Sequence, residues 1–82
     1  MNIEQAEKIL REEYGLDCVS ANPCTPDLDD PEYNGSTVAE YEDERGNKYV
    51  FVMYDKNGNI WGVETDGFSD EVALELEKRL NR

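Results

Sequence analysis

Histidine is absent from this chain of 82 residues, and with it go the Ser-His and Cys-His pairs that activate most nucleophiles. Cysteine is scarce, with Cys18 and Cys24 the only two. Structural zinc takes four ligands, mostly thiolates and imidazoles, so two thiols without a histidine do not make a zinc site within one chain. No GxxxxGK[ST] loop is present to cradle a phosphate. No apolar run approaches the ~18 residues of a membrane-crossing helix. The N-terminus has neither the basic n-region nor the apolar h-region of a signal peptide. A non-enzymatic, cytoplasmic protein without cofactor or metal is therefore expected, its thiols reduced and small enough to sit buried or half-buried.

The scarcity with most content is that of positive charge. No basic residue lies between Arg11 and Arg45, whereas Glu12, Glu13, Asp17, Asp27, Asp29, Asp30, Glu32, Glu40, Glu42, Asp43 and Glu44 place 11 acids in that interval. The other 9 acids are balanced by 8 bases, so nearly all of the net charge of −12 lives in residues 12–44. Such a charge opposes compactness through self-repulsion and argues against direct binding to nucleic acid or to an anionic membrane. It serves either solubility or a partner.

What is present is enough for one small domain. Apolar residues make up 38% of the chain, with one tryptophan, five tyrosines and two phenylalanines, a globular rather than a disordered composition. Tyr49-Val50-Phe51-Val52-Met53-Tyr54 is β-branched and aromatic throughout, save Met53, and Gly46-Asn47 and Asn57-Gly58 bound it as turns. It reads as a central strand. Flanking strands at 37–44 and 60–65 complete an antiparallel meander, and Asp17–Ala21 is a candidate fourth strand.

Two-residue turns at Gly46-Asn47 and Asn57-Gly58, the latter of type I′, set the expected registers. Glu44 faces Tyr49, Glu42 faces Phe51 and Glu40 faces Met53. Tyr41 then faces Val52, Ala39 faces Tyr54, Tyr54 faces Trp61, Val52 faces Val63 and Phe51 faces Glu64. One sheet face thus carries Ala39, Tyr41, Val50, Val52, Tyr54, Trp61 and Val63 and is the expected core. The other carries Glu40, Glu42, Glu44 and Glu64 around Tyr49, Phe51 and Met53.

Helices bracket the sheet. Asn2 and Gln5 have capping-box spacing, Ile3, Ala6, Leu10 and Tyr14 make an apolar stripe with Ile9 beside it, and Gly15 is a left-handed cap, which together predict a helix over 3–14. Ser69 as N-cap, the Phe68/Ala73 staple and a Val72, Ala73, Leu76, Leu80 stripe predict a second over 70–80. The fold class is α+β, a three- to four-stranded antiparallel meander with an N-terminal and a C-terminal helix packed on one face. Residues 22–36 hold Pro23, Pro26 and Pro31 and form a long acidic loop, in which Tyr33 either anchors a contact or folds back on the core.

One stretch imitates a metal site. Asp55-Lys56-Asn57-Gly58-Asn59, with Asp66 at the twelfth place, opens like an EF-hand loop, but Ile60 stands where that pattern needs glycine. A hairpin turn fits better, which leaves weak cation binding a distant third reading. Carboxylate pairs offer no catalytic signal, since any two of 20 acids can fall near each other.

Carboxylates on a strand and a loop, with aromatics between them, can imitate the charge array of a nucleic acid. Alternate strand residues lie ~6.6 Å apart, close to the spacing of phosphates along a single strand. Asp27, Asp29, Asp30, Glu32, Glu40, Glu42, Asp43, Glu44 and Glu64, with Tyr49 and Phe51, are accordingly the candidate partner-binding residues. In size, acidity and lack of catalytic motifs the chain resembles phage-encoded inhibitors of host defence, notably anti-CRISPR proteins and other DNA mimics. The resemblance implies a partner that is a basic nucleic-acid-binding protein or nuclease complex, whose channel the inhibitor occupies. The alternative is a small acidic interaction domain that forms a homodimer through the outer sheet face.

Overall fold

The apolar run becomes an interior strand because both of its flanks turn back onto it. The computed structural model describes residues 1–23 and 36–80. In it α1 (Ile3–Tyr14) is followed by β1 (Asp17–Pro23), β2 (Thr37–Glu42), β3 (Tyr49–Tyr54), β4 (Ile60–Asp66) and α2 (Asp70–Leu80). The four strands form one antiparallel sheet in the order β1-β2-β3-β4. The molecule is therefore α+β, with helices at both ends of a meander.

The first hairpin departs from the expected register by two residues. Glu42 faces Tyr49, Glu40 faces Phe51 and Val38 faces Met53, while Tyr41 faces Val50 and Ala39 faces Val52. The cause is Asp43. Its backbone carbonyl accepts the Gly46 N–H at 3.1 Å, and its carboxylate accepts the N–H groups of Asn47 at 2.7 Å and Lys48 at 3.4 Å. Those bonds make a longer connection than a two-residue turn, so β2 ends at Glu42 and Glu44 leaves the strand. A shift of two preserves side-chain parity, and each remaining residue keeps its expected face.

The second hairpin contains an odd shift, with a different consequence. Val52–Val63 and Phe51–Glu64 pair as expected, but Tyr54 faces Ile60 rather than Trp61. A type I′ turn needs positive φ at both central residues, and Asn57 does not adopt it; Gly58 does, at φ 81°. Gly58 instead closes a three-residue loop, its N–H donating to the Asp55 carbonyl at 2.9 Å while the Asp55 N–H donates to Asn59 at 2.9 Å. The Asp55 carboxylate accepts from Asn57 and Asn59, so the EF-hand-like stretch is a hairpin turn. The ladder regains register by a bulge at Trp61, which is 45% exposed. Ile60 packs against the core in its place.

The expected core-face position of Trp61 is thus incorrect. Trp61→Ala should cost about 1–2 kcal/mol, well short of the ~3–5 kcal/mol of a fully buried aromatic. Urea denaturation measures the difference, and a loss above ~3 kcal/mol would put the ring back in the core.

Both helices pack on the face formed by Ala39, Tyr41, Val50 and Val52. Ala6 and Leu10 from α1, Leu16 just after it, and Leu76 and Leu80 from α2 complete the buried cluster. Each helix has the ends its sequence calls for. The Asn2 side chain accepts the Gln5 N–H and the Gln5 side chain accepts the Asn2 N–H, a complete capping box. Past Gly15 the Leu16 N–H returns to the Leu10 carbonyl at 2.9 Å, which drives Leu16 into the core. Ser69 Oγ accepts the Val72 N–H at 3.4 Å and starts α2.

Three further contacts fix the helices on the sheet. The Ile3 N–H donates to Gly58 at 2.8 Å, joining the start of α1 to the β3–β4 turn. Arg79 donates to both oxygens of Glu13, at 3.0 and 2.6 Å, and links the last turns of the two helices. Those paired hydrogen bonds hold the Glu13 carboxyl below its ordinary range. Lys48 stands 5.7 Å from the Phe68 ring centroid, at the approach to α2. No described helix is long and apolar enough to cross a membrane.

Candidate interaction surface

With both helices on one side of the sheet, the opposite side is formed, among the described residues, by the alternate residues of each strand. Register alone groups them into rows. Glu42, Tyr49 and Asp66 lie directly across from one another on β2, β3 and β4, as do Glu40, Phe51 and Glu64. A third row sets Val38, Met53 and Gly62 side by side. Neighbouring strands run ~4.8 Å apart, so each aromatic ring on β3 has a carboxylate within reach on both sides. The rings and the two β2 glutamates are half-buried, and Glu64 and Asp66 are exposed.

None of the four strands contains a lysine or arginine. Ion pairs among the described residues join Arg11 to Glu7 and Asp17, and Arg79 to Glu13; none involves the four carboxylates on this face. Glu40 accepts a 3.4 Å hydrogen bond from the Ser20 hydroxyl. Asp17 sits opposite Glu42 on β1, with its carboxylate 3.8 Å from Arg11 Nε.

The third row gives the surface a second character. A Cβ placed on Gly62 would come within 2.9 Å of the Met53 methyl carbon, so the Met53 side chain lies across that glycine. The face is therefore acidic and aromatic toward the β2–β3 turn and uncharged at its other end, where Asn22 of β1 flanks Val38.

Of the residues expected on this surface, Glu40, Glu42, Tyr49, Phe51 and Glu64 are brought together. Asp43 and Glu44 are not on it. The Asp43 carboxylate is committed to its own turn, where partial burial alone would push its pKa up. Donation from the Asn47, Lys48 and Gly46 N–H groups outweighs that and holds it below the ordinary aspartate value. Glu44 is exposed at the turn. Asp27, Asp29, Asp30 and Glu32 lie outside the described residues, as do Tyr33 and Cys24.

Asp66 is the member the sequence reading missed, because the strand was ended at residue 65. Glu64-Thr65-Asp66 continues the alternation and would have revealed it. Cys18 is a free thiol, exposed rather than buried, because it lies on the edge strand β1.

Chemically the surface can accept hydrogen bonds and stack against flat groups, and it offers no cationic donor from its strands. Carboxylates beside aromatic faces attract guanidinium and ammonium groups. Set against known families, curated proteins and solved structures, the chain matches none of them.

Proposed function

We propose that this protein is a non-enzymatic binding inhibitor that occupies the basic nucleic-acid-binding site of a partner protein, in the manner of anti-CRISPR proteins and other DNA mimics. The observation that carries the reading is the outer sheet face, with Glu40, Glu42, Glu64 and Asp66 set around Tyr49 and Phe51 and no base in any strand. Glu40 and Glu42 stand ~6.6 Å apart along β2. The β2 and β4 carboxylates form two columns ~10 Å apart, a flat array of charge suited to a groove lined with Lys and Arg.

Charge also argues against the homodimer. An isologous dimer through this face sets the same patch against itself. Four carboxylates of one copy would then meet four of the other, and like-charge juxtaposition costs several kcal/mol.

Immobilised protein should capture its partner from lysate at low salt, release it at high salt, and release it when duplex DNA is added in excess. Screening weakens charge-driven contacts, and the DNA competes for the same site. Capture that persists in high salt, or that duplex DNA leaves intact, overturns the proposal.

A further inference from the structure

We infer that the outer sheet face is built for arginine rather than lysine, and that its occupant is a protein surface presenting two arginines with an apolar residue beside them. This rests on the reading of the face as a site for a basic partner and specifies that partner's chemistry.

The two rows carry the inference. In each, one aromatic on β3 is bracketed by carboxylates on β2 and β4: Glu40, Phe51, Glu64 in one, Glu42, Tyr49, Asp66 in the other. A guanidinium is planar, weakly hydrated and carries five donors in a fixed fork. It can lie on a ring face and donate sideways to carboxylates on both flanks at once. An ammonium is a compact, strongly hydrated charge with three donors, and it keeps its water when offered the same surface. Charge alone would draw both side chains equally, and the ring between the carboxylates separates them. Among the described residues the flanking carboxylates are not already held by arginine or lysine.

Spacing defines the rest of the occupant. The rows are two residues apart along β3, ~6.6 Å, which suits arginines at alternate positions of an extended segment. The row of Val38, Met53 and Gly62 continues the surface without charge and takes the apolar neighbour. The binder is therefore amphipathic as well as basic.

The test uses the full chain and two blocked pentapeptides, Arg-Thr-Arg-Thr-Val and Lys-Thr-Lys-Thr-Val, titrated at low salt and followed by amide chemical shifts. The arginine peptide should bind at least about fivefold more tightly, with the largest shifts in β2, β3 and β4. The double variant Tyr49→Leu with Phe51→Leu, shown folded by its melting curve, should bring the two peptides to equal affinity while salt still weakens both. Equal affinity for the unmodified protein overturns the arginine inference and leaves the acidic-surface proposal standing. Retention of the arginine preference in the double leucine variant overturns it too, since the rings would then play no part. Failure of both peptides to bind sinks the acidic-surface reading along with it.

Discussion

Gly67→Ala should unfold this protein or bring it close to unfolding. Gly67 joins β4 to α2 with φ at 82°, and a Cβ there would land on the Asn47 carbonyl oxygen, with the Asn47 carbonyl carbon and Lys48 Cα also at 3.1 Å. Backbone cannot swing aside as a flexible side chain can. Holding alanine at that φ costs ~1–2 kcal/mol, and relieving the overlap requires the β2–β3 turn and the start of α2 to separate. We expect a total loss of ~3 kcal/mol or more, a large part of the stability of a domain this size. Gly15→Ala isolates the contact from the dihedral. Gly15 has φ 68° but nothing within 4 Å of the added carbon, so only the ~1–2 kcal/mol conformational cost applies. Thermal and urea melts of both variants give the comparison. If the two lose the same stability, the close approach of Gly67 to Asn47 is not a constraint on the fold.

That contact was not visible in the sequence, and the reason extends to the rest of the chain. Periodicity reports which residues share a face, and it did so for both helices and for nearly the whole sheet. Ile3, Ala6, Leu10, Leu76 and Leu80 are where their spacing puts them because caps at Asn2 and Ser69 fix the helix starts. Turn length is a different kind of information, decided by side-chain-to-backbone hydrogen bonds. Asp43 and Asp55 each gather two N–H groups from within or beyond their turn, and both connections are longer than two residues. A shared signature was there to be read: Asp43-Glu44-Arg45-Gly46-Asn47 and Asp55-Lys56-Asn57-Gly58-Asn59 are the same Asp-x-x-Gly-Asn pattern. The first turn's shift of two keeps Glu40 and Glu42 on the outer face, because parity is preserved. The second turn's odd shift was absorbed at Trp61, which alternation had assigned to the core. Four of the nine candidate acids, Asp27, Asp29, Asp30 and Glu32, lie in a proline-broken stretch with no periodicity to interpret.

Reversing the outer face should abolish partner binding while leaving the fold intact. The variant that tests this is Glu40→Lys, Glu42→Lys and Glu64→Lys together; Glu44 lies off the strand and is left unchanged. All three glutamates project away from the buried cluster, and the added lysines meet the remaining carboxylates of a strongly acidic chain. Stability should therefore move by no more than ~0.5 kcal/mol per site, and relief of self-repulsion works in the variant's favour. Binding to a basic partner should fall by at least about a hundredfold at low salt, through slower association and through like charges opposed at contact. Net charge alone would also slow association, so a matched control is needed. Glu4→Lys, Glu12→Lys and Glu75→Lys change the total by the same amount at exposed positions on the two helices. Surface plasmon resonance of both triple variants against the captured partner separates the contributions. The helix variant should lose only the modest part of the rate that long-range steering supplies, and added salt should erase that part. The sheet variant should stay weak at every salt concentration where the parent binds, because its loss is at the contact itself. Equal losses for the two would mean that the partner senses total charge and the ordered rows on the sheet are only a solvated face.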